Sequence, residues 1–187
     1  EEGTVMTRGI LKGLLAVILA AVSAGSTLHG GAQQSADALW QLVSGRPQLA
    51  NAARADLIGQ FALVRLDRTV FTKLMRQAPG EPALRTSGTV VSLPMPDGSF
   101  SRFRIAESPI LAPELAAAFP DIHTYTGQGV DDPTATTRFG WTEKGFHAIV
   151  LSTTGTVYVD PYAPGDVEYY VAARKDALQQ PDVRFQC

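Results

Sequence analysis

Residues 134–161 read TATTRFGWTEKGFHAIVLSTTGTVYVDP, and this stretch decides the fold class. It holds three runs rich in Thr, Val, Ile and aromatic residues: Thr134–Trp141, Phe146–Leu151 and Thr156–Val159. Only Glu143-Lys144-Gly145 and Thr153-Thr154-Gly155 separate them. Short β-branched runs broken by Gly-containing turns predict consecutive antiparallel strands. Working outward, Ile122–Thr126 reads as another strand, with Gly127-Gln128-Gly129 as the turn after it, and Glu168–Ala173 as the last of the series.

Further upstream, Thr89–Leu93 and Phe100–Glu107 flank Pro94-Met95-Pro96-Asp97-Gly98. Asp-Gly between two such runs is a strong hairpin signal, and Phe103/Ile105 alternate with Arg102/Arg104 as on a strand with one wet face. Phe61–Leu66 is a strand candidate. Asp67 then caps a helix over Thr69–Gln77, with Val70, Phe71 and Leu74 toward the core. Pro113–Phe119 predicts a second short helix, with Pro113 in its first turn. Ser35–Leu42 reads either as a third, with Ser35 as N-cap, or as part of a flexible linker. The expectation is an α+β fold, mainly antiparallel β-sheet with one or two short helices, as one domain over about 56–176.

The composition agrees. A chain of 187 residues with 45% hydrophobic and 18% charged residues holds one modest core. Seventeen Gly and twelve Pro favour a turn-rich, strand-rich fold over a helical bundle. A net charge of −2 with no basic run provides no electrostatic footprint for nucleic acid. The one Cys, Cys187, precludes an internal disulfide, and with so few His and Cys no structural zinc site is expected within this chain.

The N-terminus reads as an address. After Met6, the cationic Arg8 and Lys12 precede an apolar run from Gly13 to Ala24 that only Ser23 interrupts. Val22-Ser23-Ala24 and Gly30-Gly31-Ala32 both offer small-x-small cleavage sites. Residues 1–32 are therefore predicted to be a secretory signal peptide with an upstream extension at 1–5, followed by a linker or short helix over 33–55. A run this short spans a bilayer poorly, so no stable membrane anchor is expected after cleavage, and the product is secreted or held in the cell envelope. Residues 177–187 read as a linker toward a domain beyond this fragment.

No catalytic set is legible. The sequence has no His-Glu-x-x-His, no Gly-x-Ser-x-Gly and no phosphate-binding Gly-x-x-x-x-Gly-Lys. Asp131-Asp132-Pro133 with Asp160 suggests a calcium corner, but calcium needs six to eight oxygens, and turn chemistry is the better reading. An enzyme in its own right, using His147 with Asp131 or Asp160, is the weakest functional reading, and a solvent-facing or satisfied sheet histidine is the stronger reading of His147. Trp141, Tyr162, Tyr169 and Tyr170 fit either core packing or an exposed ligand face. Arg102/Arg104 fit the wet side of a strand. For Cys187 three readings stand: half of a disulfide with residues outside this fragment, a thiolate that seeks zinc, or a buried thiol.

Four stretches together carry a resemblance: Phe103-Arg104-Ile105-Ala106-Glu107-Ser108-Pro109-Ile110-Leu111-Ala112-Pro113-Glu114-Leu115; Phe119-Pro120-Asp121-Ile122-His123-Thr124-Tyr125-Thr126-Gly127-Gln128-Gly129; Gly145-Phe146-His147-Ala148; and Val157-Tyr158-Val159-Asp160-Pro161-Tyr162. In this order, with the Leu66-Asp67 helix entry and the Asp97-Gly98 hairpin, they resemble the N-terminal propeptide region of secreted bacterial reprolysin-type (metzincin) zinc metalloproteases, over about residues 60–176. The resemblance implies a zymogen pro-domain that assists folding and keeps the protease latent, here without the catalytic domain. It further implies a parent zinc metalloendopeptidase, a catalytic domain in cis as partner, zinc held by that domain rather than by this chain, and a cysteine-switch role for Cys187. The alternative of a different class is a free-standing secreted β-rich binding or adhesion module.

Overall fold

The computed structural model describes residues 35–45, 47 and 59–178; the expected signal segment and Cys187 lie outside them. The strands are β1 (Trp40–Leu42), β2 (Phe61–Leu66), β3 (Thr89–Pro94), β4 (Phe100–Glu107), β5 (His123–Gly129), β6 (Thr136–Thr142), β7 (Gly145–Ser152), β8 (Gly155–Pro161) and β9 (Tyr169–Arg174). Two helices interrupt them, α1 (Arg68–Met75) between β2 and β3, and α2 (Pro113–Ala118) between β4 and β5. Every strand pairs antiparallel with its neighbours in one nine-stranded sheet ordered β1-β2-β9-β8-β7-β6-β5-β4-β3.

The order contains a seven-strand meander, β3 to β9, extended past β9 by β2 and β1. Such a sheet coils through its own twist. Here its two ends meet, for β1 comes up beside β3 and the sheet is a nearly closed barrel. The seam is held by side chains. The Trp40 indole N–H donates to the Ser92 carbonyl at 2.9 Å, and the Asp37 carboxylate accepts the Ser92 N–H at 2.6 Å. Asp37 is in turn fixed by the Ser35 hydroxyl at 2.6 Å and the Leu39 N–H at 3.2 Å.

Neither of the two readings of Ser35–Leu42, short helix or flexible linker, describes this segment. Ser35 caps a tight turn instead, its hydroxyl oxygen accepting from Trp40 N–H at 2.9 Å, and Trp40–Leu42 is strand. Leu39 and Trp40 are both buried here, each 1% exposed, and Trp40 bonds across the seam. The local preference yields to tertiary packing.

Gly127-Gln128-Gly129 is a second correction. It lies inside β5, where Gly127 pairs with Ile105 on one side and Thr137 on the other. A Cβ at Gly127 would approach Thr137 Cγ2 to 2.7 Å, so glycine serves close packing inside the sheet and not a turn. The Asp97-Gly98 hairpin forms as expected, with Gly98 at φ 86° and its N–H donating to the Met95 carbonyl.

Helix α1 starts where Asp67 accepts the N–H groups of Thr69 and Val70 at 2.9 and 3.0 Å. It buries Phe71 and partly buries Val70 and Leu74. Phe71 meets Trp141 and Phe146, which continue through Trp40, Tyr170, Phe139 and Tyr125 as one aromatic cluster filling that end of the barrel. A second, smaller cluster sits outside the sheet, where Tyr162 and Ala163 cover Leu63, Val171 and Ala173. Tyr162 and Tyr170 are thus core residues, at 1% and 0% exposure, which removes them from an exposed aromatic face.

Two substitutions test the seam. Asp37→Ala strands the Ser92 N–H and should cost about 1–3 kcal/mol in urea unfolding. Trp40→Ala removes both the seam bond and the centre of the aromatic cluster and should cost about 3–5 kcal/mol. An Asp37→Ala variant as stable as the parent would mean that β1 does not close the sheet.

Candidate functional site: an exposed arm and the sheet face beside it

Between β4 and β5 the chain leaves the sheet. Ser108 anchors the departure: its N–H donates to the Thr124 carbonyl, and its hydroxyl donates to Glu81 at 2.7 Å. The Thr124 hydroxyl donates back to the Ser108 carbonyl at 2.7 Å. From Pro109 to Asp121 no residue is buried. Helix α2 lies within this arm and buries nothing, yet Ile110, Leu115 and Phe119 are 68%, 51% and 53% exposed. Three prolines, Pro109, Pro113 and Pro120, bar the segment from joining the ladder. A single exposed leucine is unremarkable; three large apolar side chains on one arm, each more than half exposed, mark a candidate contact surface.

The arm's root borders a shallow depression of about 360 Å³ on the outer face of β5–β8, lined by Ile110, Thr124, Arg138, Gly140, His147, Ile149, Tyr158 and Asp160 among others. Strand alternation builds it. On β7, Phe146, Ala148 and Val150 point inward, which sends His147 and Ile149 outward. On β8, Val157 and Val159 point inward, leaving Tyr158 and Asp160 on the same outer face. Gly140 pairs with His147 on one side and Thr124 on the other, and having no side chain it leaves the floor low between them.

His147 Nδ1 lies 2.7 Å from Asp160 Oδ1, with the side chains 43% and 21% exposed. Of the two partners considered for His147, the fold brings Asp160 to it and places Asp131 elsewhere. The Asp160 carboxylate orients the His147 imidazole ring.

Of the calcium-corner residues, Asp132 serves its own turn, whereas Asp131 is drawn to β4. Asp131 accepts from the Arg102 N–H at 2.8 Å and from its guanidinium at 2.6 Å, and this guanidinium holds its carboxyl below the usual carboxylate range. Asp132 accepts the hydroxyl and N–H of Thr134 at 2.6 and 2.9 Å, which lowers its pKa likewise. Among the described residues no three His, Cys, Asp or Glu side chains converge as metal ligands. Cys187 lies outside the described residues.

A second groove, of about 670 Å³, runs between α1 and β5–β6. Within it Arg68 stacks over Trp141 at 5.2 Å and His123 Nδ1 lies 3.1 Å from Glu107. Tyr125, on its floor, is pushed up to about 12 by burial and secondarily by Glu107, and burial puts Tyr170 at about 12 as well.

Sequence reasoning named His147 and Asp160 but overlooked the arm. Its signal was present, as apolar residues bracketed by prolines with no alternation to place them in a strand.

No family model matches the chain, and no curated protein matches it. Among solved structures it is similar to a chain described as "Structure of a chaperone-substrate complex", with a TM-score of 0.42 and 15% identity over 66% of this chain and 91% of that one. A likeness this slight carries no argument about function.

The buried tyrosines give a test of the interior. Both are protonated in the fold up to pH about 12 and ionise near 10 when unfolded, so their stabilising contribution is complete below pH 10 and is lost as pH rises toward 12. Tyr125→Phe should flatten the loss of stability between pH 10 and 12, measured by urea unfolding. A slope identical to the parent's would place Tyr125 in water.

Proposed function

We propose that this chain is the pro-domain of an exported zinc metalloprotease, which assists folding of the catalytic domain and keeps it latent. The observation that supports the reading most is where the family-like stretches fall. Those at 103–115 and 119–129 contain the arm and its anchors, and those at 145–148 and 157–162 supply His147, Tyr158 and Asp160 to the depression beside it. Much of each stretch is core; Ile110, Thr124, His147, Tyr158 and Asp160 line the depression, whereas Glu107 and His123 line the groove beside α1.

A pro-domain needs such a surface. Latency requires a complex with the catalytic domain, and large exposed side chains at the centre of a contact contribute most of its affinity. Covering Leu115 and Phe119 gains on the order of 1–2 kcal/mol each, from apolar area at about 25 cal/mol per Å². In this reading Cys187 supplies a thiolate to the zinc of the catalytic domain, occupying the position that water needs.

Peptide cleavage by a reprolysin-type zinc protease encoded in the same genome, titrated with the full chain, tests the proposal. Inhibition is expected, weakened at least tenfold by Leu115→Ser with Phe119→Ser. Cys187→Ala separates the switch from the docking, weakening inhibition only if the thiol reaches the metal. No inhibition by a folded chain would overturn the proposal and favour a free-standing binding module that uses the same face.

A further inference from the structure

The interior of the barrel is unevenly filled. Aromatic rings cluster at the end under α1, whereas the opposite end has a single aromatic ring, Phe103, among small residues such as Ser101, Ala135 and Ser152, and opens to solvent beside Met95-Pro96-Asp97. A cavity of about 370 Å³ remains there. Barrels of eight strands are just filled by side chains or hold one small ligand, and the diameter grows with strand number. The volume falls within the range of small-molecule sites, for which barrel mouths are a common location.

The lining has two zones. Phe103, Val150 and Val157 form an apolar floor, each between 1% and 7% exposed. Ser101 and Arg174 stand at the rim. Arg174 is informative because its strand aims it inward: in β9 the inward residues are Tyr170, Ala172 and then Arg174, which pairs with Val157 of the floor. Its guanidinium is held at the mouth by the Thr154 carbonyl at 2.7 Å and by Asp176 at 3.2 Å. Those contacts use two of its nitrogens, and a guanidinium has five N–H donors.

The rim carboxylates are engaged differently. Asp97 accepts the N–H and hydroxyl of Ser99 at 2.9 and 2.6 Å, and Asp132 is held by Thr134, so both belong to their own turns. Arg102 is committed to Asp131. Arg174 is thus the inward-aimed cation above the apolar floor, and beyond its contacts with Asp176 and Thr154 it keeps further N–H donors for a ligand.

We propose that the barrel mouth is a binding site for a small amphiphile, with an apolar tail on Phe103, Val150 and Val157 and a carboxylate at Arg174. The site is independent of the arm, which lies on the outer face, and it stands or falls apart from the pro-domain reading.

Calorimetric titration of the full chain with decanoate, and separately with decanol, tests it. Decanoate should bind saturably at one site per chain. Arg174→Met should weaken decanoate at least tenfold and leave decanol unchanged, because only the carboxylate loses its partner. Val150→Phe fills the floor and should abolish both; if circular dichroism shows that it fails to fold, Ser101→Leu at the rim serves instead. Absence of saturable binding to the parent chain would overturn the proposal. So would binding that survives the filling variant, or decanoate affinity indifferent to Arg174.

Discussion

Asp37 and Trp40 grip the two backbone groups of Ser92, one taking its N–H and the other bonding its carbonyl. Those groups point away from β4, at the exposed edge of β3, where a sheet would otherwise offer an unpaired template to other chains. Side chains on the Ser35–Trp40 turn stand in for a missing ladder rung and close the sheet. The closure also sets the interior, because Trp40 can reach Ser92 only by crossing the barrel end, where it meets Phe146 and Tyr170. Seam and aromatic core are therefore one construction, and a change to either is felt by both.

Most strands were legible because their signals are local. β-branched runs, the Asp97-Gly98 turn and the Asp67 cap each act within a few residues, and the structure places strands or a helix at all of them. Closure was not legible, since it rests on bonds between residues more than fifty positions apart, Asp37 and Trp40 with Ser92. The same distance explains the misread segment: nothing within Ser35–Leu42 announces that Trp40 belongs to the far edge of the sheet. Gly127 misled for a related reason, as its glycine answers to Thr137 and Ile105 on neighbouring strands.

The site was half legible. A two-residue turn at Thr153-Thr154 pairs Ser152 with Gly155 and Ala148 with Val159, and one step further sets His147 against Asp160. That pairing follows from register alone. What the pair faces does not, because Ile110 arrives from another part of the chain. The arm itself is a case where sequence consistency breaks down, with large apolar residues left more than half exposed. Such local conflicts are characteristic of functional surfaces.

The molecule thus divides its apolar surface three ways: a core under α1, a floor inside the open mouth, and a patch on the arm. The last is the centre of the account. Hydrogen exchange of the full chain, alone and with the mature reprolysin-type protease, tests it most directly. Residues 109–121 bury no side chain, so their amides should exchange fast in the free chain. The account predicts that the complex slows exchange over 109–121 and at the outer-face ends of β7 and β8, and leaves α1 unchanged. Protection confined to α1 or the barrel mouth, with the arm still exchanging freely, would contradict it.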